Sequence, residues 1–317
     1  MVVDYFTSFY DLPEPGSAVV AIGTFDGVHR GHVNVIRQAV QIASEKTVPS
    51  VIVTFINHPQ DITSRKRSPQ LLTTADEKIQ LIKDLNPDIL MAIPFSAELA
   101  GLRAEEFISG ILKAKTGAIN LVFGQNFHFG HDRLNPARRP EVLRQHGIEP
   151  VIIADLVESD GNIISSTAIR ELIAAGRIES ANVMLNRHYA IDGKVVQGFG
   201  RGHKLGYPTA NIIPPVGKLM PRRGVYLTEV IWEDKRRLSV TNVGVKPTFD
   251  GADCTIEIYL PNFSGDLYGR QLQVRFAAFI RPEEKFNSAD ALTRQISSDL
   301  CAARAKAALI YNSEVLW

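Results

Sequence analysis

Residues 23–32 read Gly-Thr-Phe-Asp-Gly-Val-His-Arg-Gly-His, and this stretch decides how the first half of the chain folds. It follows a short apolar run at 18–22 and precedes a segment whose apolar residues recur at helical spacing. The order predicts a buried strand, a glycine-rich turn and the start of a helix. Glycines allow close approach of a ligand, and the free N–H groups at a helix N-terminus attract phosphate. The two histidines would add hydrogen-bond donors to a reacting phosphate, although an ordinary turn with exposed histidines is the simpler alternative.

The rest of the first half predicts an α/β domain with an open parallel sheet. Short β-rich runs alternate with helical patterns, and this alternation is typical of parallel strands joined by crossover helices. The predicted strands are 18–22, 51–55, 89–93, 119–123 and 151–154, and two helices near 167–175 and 178–184 close this half. Neither a GxGxxG fingerprint nor a GxxxxGK[ST] loop occurs at 23–32, so any phosphate is bound by another design.

From about Tyr189 the pattern changes to short β-like runs separated by Gly and Pro, which predicts a small antiparallel β-barrel. These runs are 195–196, 226–231, 255–260 and 272–276. The chain then ends in an amphipathic helix that begins near Asn287 or Ser288. We therefore expect two domains, at 1–186 and 187–317.

The composition indicates that any anion binding is confined to local sites. The 317 residues include 35 Lys and Arg against 34 Asp and Glu, which disfavours a surface dedicated to nucleic acid or to an anionic membrane. The two cysteines, Cys254 and Cys301, form no CxxC pair, which disfavours a disulfide framework and favours a reducing compartment. The N-terminus has no basic leader with an apolar stretch behind it. We expect a soluble, cytoplasmic protein without nucleic-acid or membrane partners.

A second candidate phosphate site is the segment Ile164-Ser-Ser-Thr-Ala-Ile-Arg170, at the start of a predicted helix. Hydroxyl side chains cap helices, which is a sufficient structural explanation for the serines and the threonine. Arg170, however, falls near the positive end of the helix dipole, where a cation is disfavoured. A bound triphosphate would reverse that penalty.

In the second half, residues 197–211 pack four glycines among three basic side chains and end in Gly-Tyr-Pro-Thr-Ala-Asn. Successive N–H groups of such a loop can form an anion-binding nest. Thr209 and Asn211 are two residues apart, so both oxygens lie on one face of an extended chain, as Mg²⁺ prefers when phosphates supply its other ligands. Glu257 lies in an alternating run at 255–260, and periodicity favours a solvent-facing strand residue. Transfer of a phosphoryl group to an alcohol requires a carboxylate base, and Glu257 is the nearest candidate.

The runs GTFDGVHRGH and ISSTAIR resemble the HxGH-type nucleotidyltransferases, in the form found in the adenylyltransferase half of prokaryotic bifunctional FAD synthetases. The resemblance implies that FMN phosphate attacks the α-phosphorus of ATP and that His29, His32 and Arg170 are catalytic. The FGxxFxFG pattern at 123–130 implies that Asn126 binds flavin or nucleotide. The residues implied to bind ATP and its phosphates are Gly23, Phe25, Asp26, Gly27, Gly31, Ser165, Ser166 and Thr167.

The second half resembles riboflavin kinases, through GRGHKLGYPTANI, GVY, NVGVKPTF, IEIYL, DLYG and IRPEEKF in that order. The resemblance implies a six-stranded barrel, with Glu257 as the catalytic base and with Thr209 and Asn211 as ligands of Mg²⁺. It also implies that Arg281 and Phe286 contact the flavin. The residues implied to bind the co-substrate ATP are Gly200, Arg201, Gly202, His203 and Lys204.

Three features depart from the commonest form of the family: Asn126, His128 and the stretch 135–140, which contains Arg138 and Arg139. They leave two alternatives to a bifunctional enzyme that uses riboflavin, FMN and ATP. One alternative is a riboflavin kinase whose first domain adenylylates poorly. The other is a non-catalytic protein that senses flavin with the same pockets.

Overall fold

A computed structural model of the protein describes residues 3–12, 16–63, 68–158, 161–197, 206–248, 251–311 and 317. The chain divides into two compact units, Met1–Ser166 and Thr167–Trp317. None of the helices among these residues is both long and apolar enough to cross a membrane.

The first unit is built on an open parallel sheet, as the alternating pattern predicts, but the sheet has six strands, because the short strand at 4–6 was not among the five predicted. Its strands are β1 (Asp4–Phe6), β2 (Ala18–Ile22), β3 (Ser50–Phe55), β4 (Ile89–Ile93), β5 (Ala118–Gly124) and β6 (Glu149–Ile153). The strand order is β1-β4-β3-β2-β5-β6, so the chain leaves β2 in one direction and returns to its other side with β5. A crevice therefore opens outside the carboxyl ends of β2 and β5, where open parallel sheets bind their ligands.

Helices cover both faces of this sheet. They are α1 (Arg30–Lys46), α2 (Gln60–Thr63), α3 (Ala75–Lys83), α4 (Ala97–Gly101), α5 (Ala104–Glu106), a π-helix (Phe107–Lys113) and α6 (Glu141–Arg144). Alternate residues of β2 enter opposite layers of the core, Val20 on one face and Val19 and Ala21 on the other. Because both faces are buried, the strand reads as a continuous apolar run.

The second unit is a closed barrel of six antiparallel strands, in the order β10-β11-β8-β7-β12-β9, which confirms the predicted barrel. It contains α7 (Ser166–Ala175, whose first residue ends the first unit), α8 (Ile178–Leu185), β7 (Tyr189–Val196), β8 (Thr209–Ile213), β9 (Gly224–Trp232), β10 (Lys235–Thr248), β11 (Gly251–Tyr259), β12 (Gln271–Pro282) and α9 (Ala289–Tyr311). The hydroxyl of Ser288 accepts the N–H of Ala291 at 3.1 Å and caps α9 where the sequence places its start.

The two units divide after Ser166, earlier than the boundary predicted after Asn186. The physical reason is that α7 and α8 pack onto the barrel. The side-chain amide of Asn182 donates to the carbonyl of Phe276 at 2.8 Å and accepts the N–H of Tyr189 at 2.7 Å. The N–H of Arg222 donates to the carbonyl of Ile173 at the end of α7.

Candidate active sites

The turn after β2 brings the two histidines of the first motif together at the N-terminus of α1. His29 is the N-cap residue, and its Nδ1 accepts the N–H of His32 at 3.4 Å. The two rings stack with their centroids 3.6 Å apart. A side chain at Gly31 would come within 3.1 Å of the His29 ring, so glycine permits this stacking. The first turn of α1 contains no acidic residue, so its positive dipole end is available to an anion.

A cavity of about 310 Å³ opens beside this pair, at the carboxyl ends of β2, β5 and β6. Eight predicted site residues line it: Gly23, Phe25, His29, Gly31, His32, Asn126, Ser165 and Ser166. The fold thus places residues from three distant stretches of sequence around one space at the switch point of the sheet. Thr167 and Arg170 follow on the first turns of α7, in the second unit.

Asp26 and Gly27 are not among the described residues that line this cavity. The Asp26 carboxylate is 3% exposed and accepts the backbone N–H groups of Leu72 and Thr73 at 3.0 and 3.1 Å. The N–H of Gly27 donates to the hydroxyl of Thr73. Asp26 therefore fastens the turn to the segment before α3. A carboxylate in this position supports the turn.

Lys78, on α3, joins the same arrangement and was not among the predicted site residues. It is 6% exposed, and its ammonium donates to the carbonyl of Thr24 at 3.0 Å and to that of Phe55. Burial lowers the pKa of Lys78 to about 8, and the nearby Asp26 carboxylate opposes that shift. Lysine in a helix normally lies on the exposed face, so the sequence did not indicate that Lys78 is buried next to the site.

The three departures from the family pattern are connected by hydrogen bonds. The side-chain amide of Asn126 donates to Asp155 at 2.7 Å, and both residues line the cavity. The ring of His128 lies with Nδ1 2.8 Å from the carbonyl of Asn126, while the amide of Asn135 is 3.4 Å from its Nε2. Asn135 also caps the turn at 135–138 through the N–H groups of Ala137 and Arg138. The unusual stretch therefore supports the segment that carries Asn126.

A second cavity, of about 190 Å³, lies at the carboxyl end of β4, on the same edge of the sheet. Its walls are mainly apolar, and they include Phe9, Ile93, Leu99, Leu102 and Ile111. Between the two cavities, at the end of β3, the ring of Phe55 makes an edge-to-face contact with Phe95. The first unit thus offers one polar and one apolar space along one edge.

In the second unit, the barrel places the predicted kinase residues on one outer surface. Glu257 on β11 lies opposite Asn211 on β8, and Tyr259 lies opposite Thr209. The neighbouring Ile256 and Ile258 are fully buried in the barrel, so Glu257 points outward. Asn211 is nevertheless only 5% exposed, and Glu257 is partly buried. The loop residues Gly200, Arg201, Gly202, His203 and Lys204 lie outside the described residues.

Of the two residues predicted to contact the flavin, Arg281 lies near the end of β12 and Phe286 lies between β12 and α9. Arg281 forms a two-pronged ion pair with Asp299, with both N–O distances 2.8 Å. Its guanidinium is 5.6 Å from the centre of the Phe286 ring. Asp299 also accepts from the amide of Gln295. Arg281 is therefore held by α9, and it positions the segment that contains Phe286.

Comparisons with known proteins assign the two parts of the chain to two families and leave residues 169–184 between them unassigned. The FAD synthetase family profile matches residues 12–168, and the riboflavin kinase profile matches residues 185–307. A bifunctional riboflavin kinase/FMN adenylyltransferase of Pseudomonas fluorescens is 36% identical over 300 residues, which cover 93% of this chain and 95% of the relative. The protein of that name in Escherichia coli K12 is 32% identical over 296 residues, 92% of this chain and 93% of the relative. The crystal structure of a macrolide-efflux protein from Streptococcus pneumoniae, 30% identical, has a TM-score of 0.87 and covers 96% of this chain and 99% of that one.

Proposed function

The chain belongs to the family of bifunctional riboflavin kinase/FMN adenylyltransferases, and we propose that the two sites described above divide its two reactions between them. The enzyme makes FAD from riboflavin in two ATP-dependent steps. In the first step, the γ-phosphoryl group of ATP passes to riboflavin and gives FMN. In the second step, the adenylyl group of another ATP passes to FMN, which gives FAD and pyrophosphate.

We assign the second step to the cavity beside His29 and His32. The observation that carries this assignment is the stacked histidine pair at the start of α1, because donors fixed there can stabilise charge that develops on the α-phosphate. Ser165 and Ser166 also line the cavity and would bind phosphate oxygens, with Thr167 and Arg170 following in sequence. The FMN phosphate is already anionic, so it can attack the α-phosphorus without a base.

The flavin ring of FMN needs an apolar surface near this site. The cavity at the end of β4 supplies one, because it opens on the same edge of the sheet and has mainly apolar walls. Asn126 would then contact the phosphate end of FMN, where the polar cavity begins. Substitution of Leu99 by Asp, in the apolar wall, tests this placement: it should raise the KM for FMN in the second step and leave the KM for riboflavin in the first step unchanged.

We assign the first step to the outer surface of the barrel around Glu257. The register that sets Glu257 opposite Asn211 carries this assignment, since it puts a carboxylate beside the oxygen ligands that Mg²⁺ prefers. Glu257 would orient the terminal hydroxyl of riboflavin and accept its proton. Phe286 would contact the flavin, and Arg281 would hold that segment in place.

Thr209 and Asn211 would hold Mg²⁺, which offsets negative charge on the phosphates of ATP. Both offer neutral oxygens, and the described residues contain no group of three or more His, Cys, Asp or Glu side chains placed to hold a metal ion. Two neutral ligands bind Mg²⁺ weakly, so the ion would arrive with ATP. The loop Gly200–Lys204 would bind the remaining phosphates. Substitution of Asn211 by Leu should therefore raise the Mg²⁺ concentration needed for FMN formation.

One incubation distinguishes this function from the two alternatives, a kinase with a weak first unit and a non-catalytic flavin-binding protein. The protein is mixed with riboflavin, ATP and Mg²⁺, and the products are resolved into riboflavin, FMN and FAD. We expect FMN to appear first and FAD to follow. Accumulation of FMN without FAD would identify a kinase with a weak first unit, and absence of both products would identify a non-catalytic flavin-binding protein.

A further inference from the structure

The ammonium of Lys78 lies next to the turn that lines the adenylyltransferase cavity. Its ammonium donates to the carbonyl of Thr24, a residue that lines the cavity, and to the carbonyl of Phe55 at the end of β3. The side chain is 6% exposed, and burial of a charged amino group is costly. Lys78 is not among the residues that line the cavity, so it acts on the site through the turn and through its charge.

Asp26 is the charged group that acts on Lys78 through space. Its carboxylate is itself 3% exposed and accepts two backbone N–H groups at 72 and 73. Both residues fix the turn by hydrogen bonds. Lys78 donates to the carbonyl of Thr24, and Asp26 accepts from the backbone of the segment before α3. With Lys78 protonated, the two charges offset each other. With Lys78 neutral or absent, the carboxylate of Asp26 stays buried beneath the turn.

The charge matters because this cavity must accept the phosphates of ATP. Among the described residues that line it, the charged residue other than histidine is Asp155, and neither lysine nor arginine contributes to the wall. We propose that Lys78 is a positioning residue for adenylyl transfer, which fixes the turn at Thr24 and offsets the buried charge of Asp26 beneath the bound triphosphate. This inference rests on the proposed function of the first unit.

A linkage between protonation and ATP binding follows. Burial of the ammonium lowers the pKa of Lys78 to about 8, and the charge of Asp26 opposes that shift. Two backbone carbonyls accept hydrogen bonds from the ammonium. A bound polyanion favours the charged form of Lys78, so ATP binds best while Lys78 is protonated. The affinity should fall as the pH rises through about 8.

The test uses the full chain with Lys78→Met, which keeps the length of the side chain and removes its charge and donors. Lys83→Met is the matched control, since Lys83 lies at the other end of α3, over the ring of Tyr5. The KM for ATP is measured at pH 7.5 with FMN supplied, and FMN formation from riboflavin is measured on the same preparation. We expect the KM for ATP in adenylylation to rise about tenfold or more in Lys78→Met, with kinase activity and the Lys83→Met variant unchanged. An unchanged KM for ATP in folded Lys78→Met would overturn the proposal.

A pH series separates a charge effect from a merely structural one. In the wild type, the KM for ATP in adenylylation should rise between pH 7 and pH 9.5, while in Lys78→Met it should be flat over the same range. If Lys78→Met does not fold, the wild-type series decides alone: a flat profile overturns the proposal. The two failures can be told apart. A wild type that makes FAD with a flat pH profile overturns only the role of Lys78, whereas a wild type that makes no FAD at any pH overturns the proposed function of the first unit.

Discussion

Asn211 and Glu257 lie directly opposite each other on the antiparallel strands β8 and β11. Alternation along β11 predicts that Glu257 faces outward, and it does, because Ile256 and Ile258 fill the barrel. The strand register also shows that the cross-strand neighbour of Glu257, Asn211, is only 5% exposed, which alternation along one strand does not predict. An outward-facing strand residue and a catalytic base are therefore compatible, since the outer surface at this point is partly covered.

The first prediction concerns His32 in the first unit. We expect His32→Ala to lower FAD formation from supplied FMN by about 100-fold to 1,000-fold, because one fixed donor to the reacting phosphate is lost. FMN formation from riboflavin should stay near the wild-type rate. His131→Ala, an exposed histidine of the same unit, is the control. Equal loss of both activities would point to a global defect or to a shared site.

A second prediction concerns the boundary of the kinase. We expect the fragment 187–317 to fold and to make FMN, as its motifs indicate. The fragment 167–317 should have the higher melting temperature, because it keeps α8, whose Asn182 hydrogen-bonds to the backbone of β7 and β12. Thermal unfolding and FMN formation are measured on both fragments. A folded fragment of either length that makes no FMN would contradict the kinase assignment.

A third prediction concerns the hydrogen bonds around His128. The contact with the Asn126 carbonyl requires a proton on Nδ1, and the ring then accepts from Asn135 through Nε2. We expect His128→Ala to raise the KM for FMN in adenylylation by a few-fold, because exposed hydrogen bonds each contribute only about 1 kcal/mol. The KM for riboflavin in the kinase reaction is the internal control and should not change. A drop in FAD formation of more than about 100-fold would mean that His128 contacts the substrate itself.

A fourth prediction concerns acid stability of the second unit. Burial lowers the pKa of His188, with the Glu229 carboxylate opposing the shift, and its ring contacts the hydroxyl of Tyr311 on α9. The unfolded chain therefore binds the proton more readily than the folded one. The stability contribution is present above pH ~6.5 and is lost as the pH falls through the lower folded pKa.

His188→Phe removes this titration and tests it. Between pH 7.5 and pH 5, the melting temperature of the wild type should fall more than that of the variant. Carboxylates titrate in both proteins, so only the difference between them reports on His188. Equal falls would show that His188 does not contribute.

Local sequence patterns predicted the parallel sheet and its position closely, because its central strands are buried on both faces and read as plain apolar runs. The strand at 18–22 has the predicted limits, as does the strand at 89–93. The barrel was harder to predict. The strands β8 and β10 were absent from the predicted set, since their outer faces carry polar residues such as Asn211 that interrupt the alternation.

Sequence patterns located the histidine pair but could not reveal what supports it. Asp26 stands inside the motif, and its assignment to the phosphates of ATP stays a prediction. Its carboxylate accepts hydrogen bonds from the N–H groups of Leu72 and Thr73, far along the chain, which the motif did not indicate. The buried ammonium of Lys78 is likewise a product of tertiary packing. Contacts of this kind depend on the strand order β3-β2-β5, which no local pattern specifies.

The central claim is that each unit carries out one step, with Glu257 as the base of the kinase. Glu257→Gln keeps the hydrogen bond to the terminal hydroxyl of riboflavin but cannot accept its proton. Glu233→Gln, an exposed carboxylate on the same barrel, is the matched control.

The deciding measurement is the rate of FMN formation from riboflavin and the rate of FAD formation from supplied FMN, both on one folded preparation of Glu257→Gln. We expect kinase turnover to fall by about 100-fold or more with little change in riboflavin binding, while FAD formation stays near wild type. Normal FMN formation by the Glu257→Gln enzyme would contradict the assignment of the base.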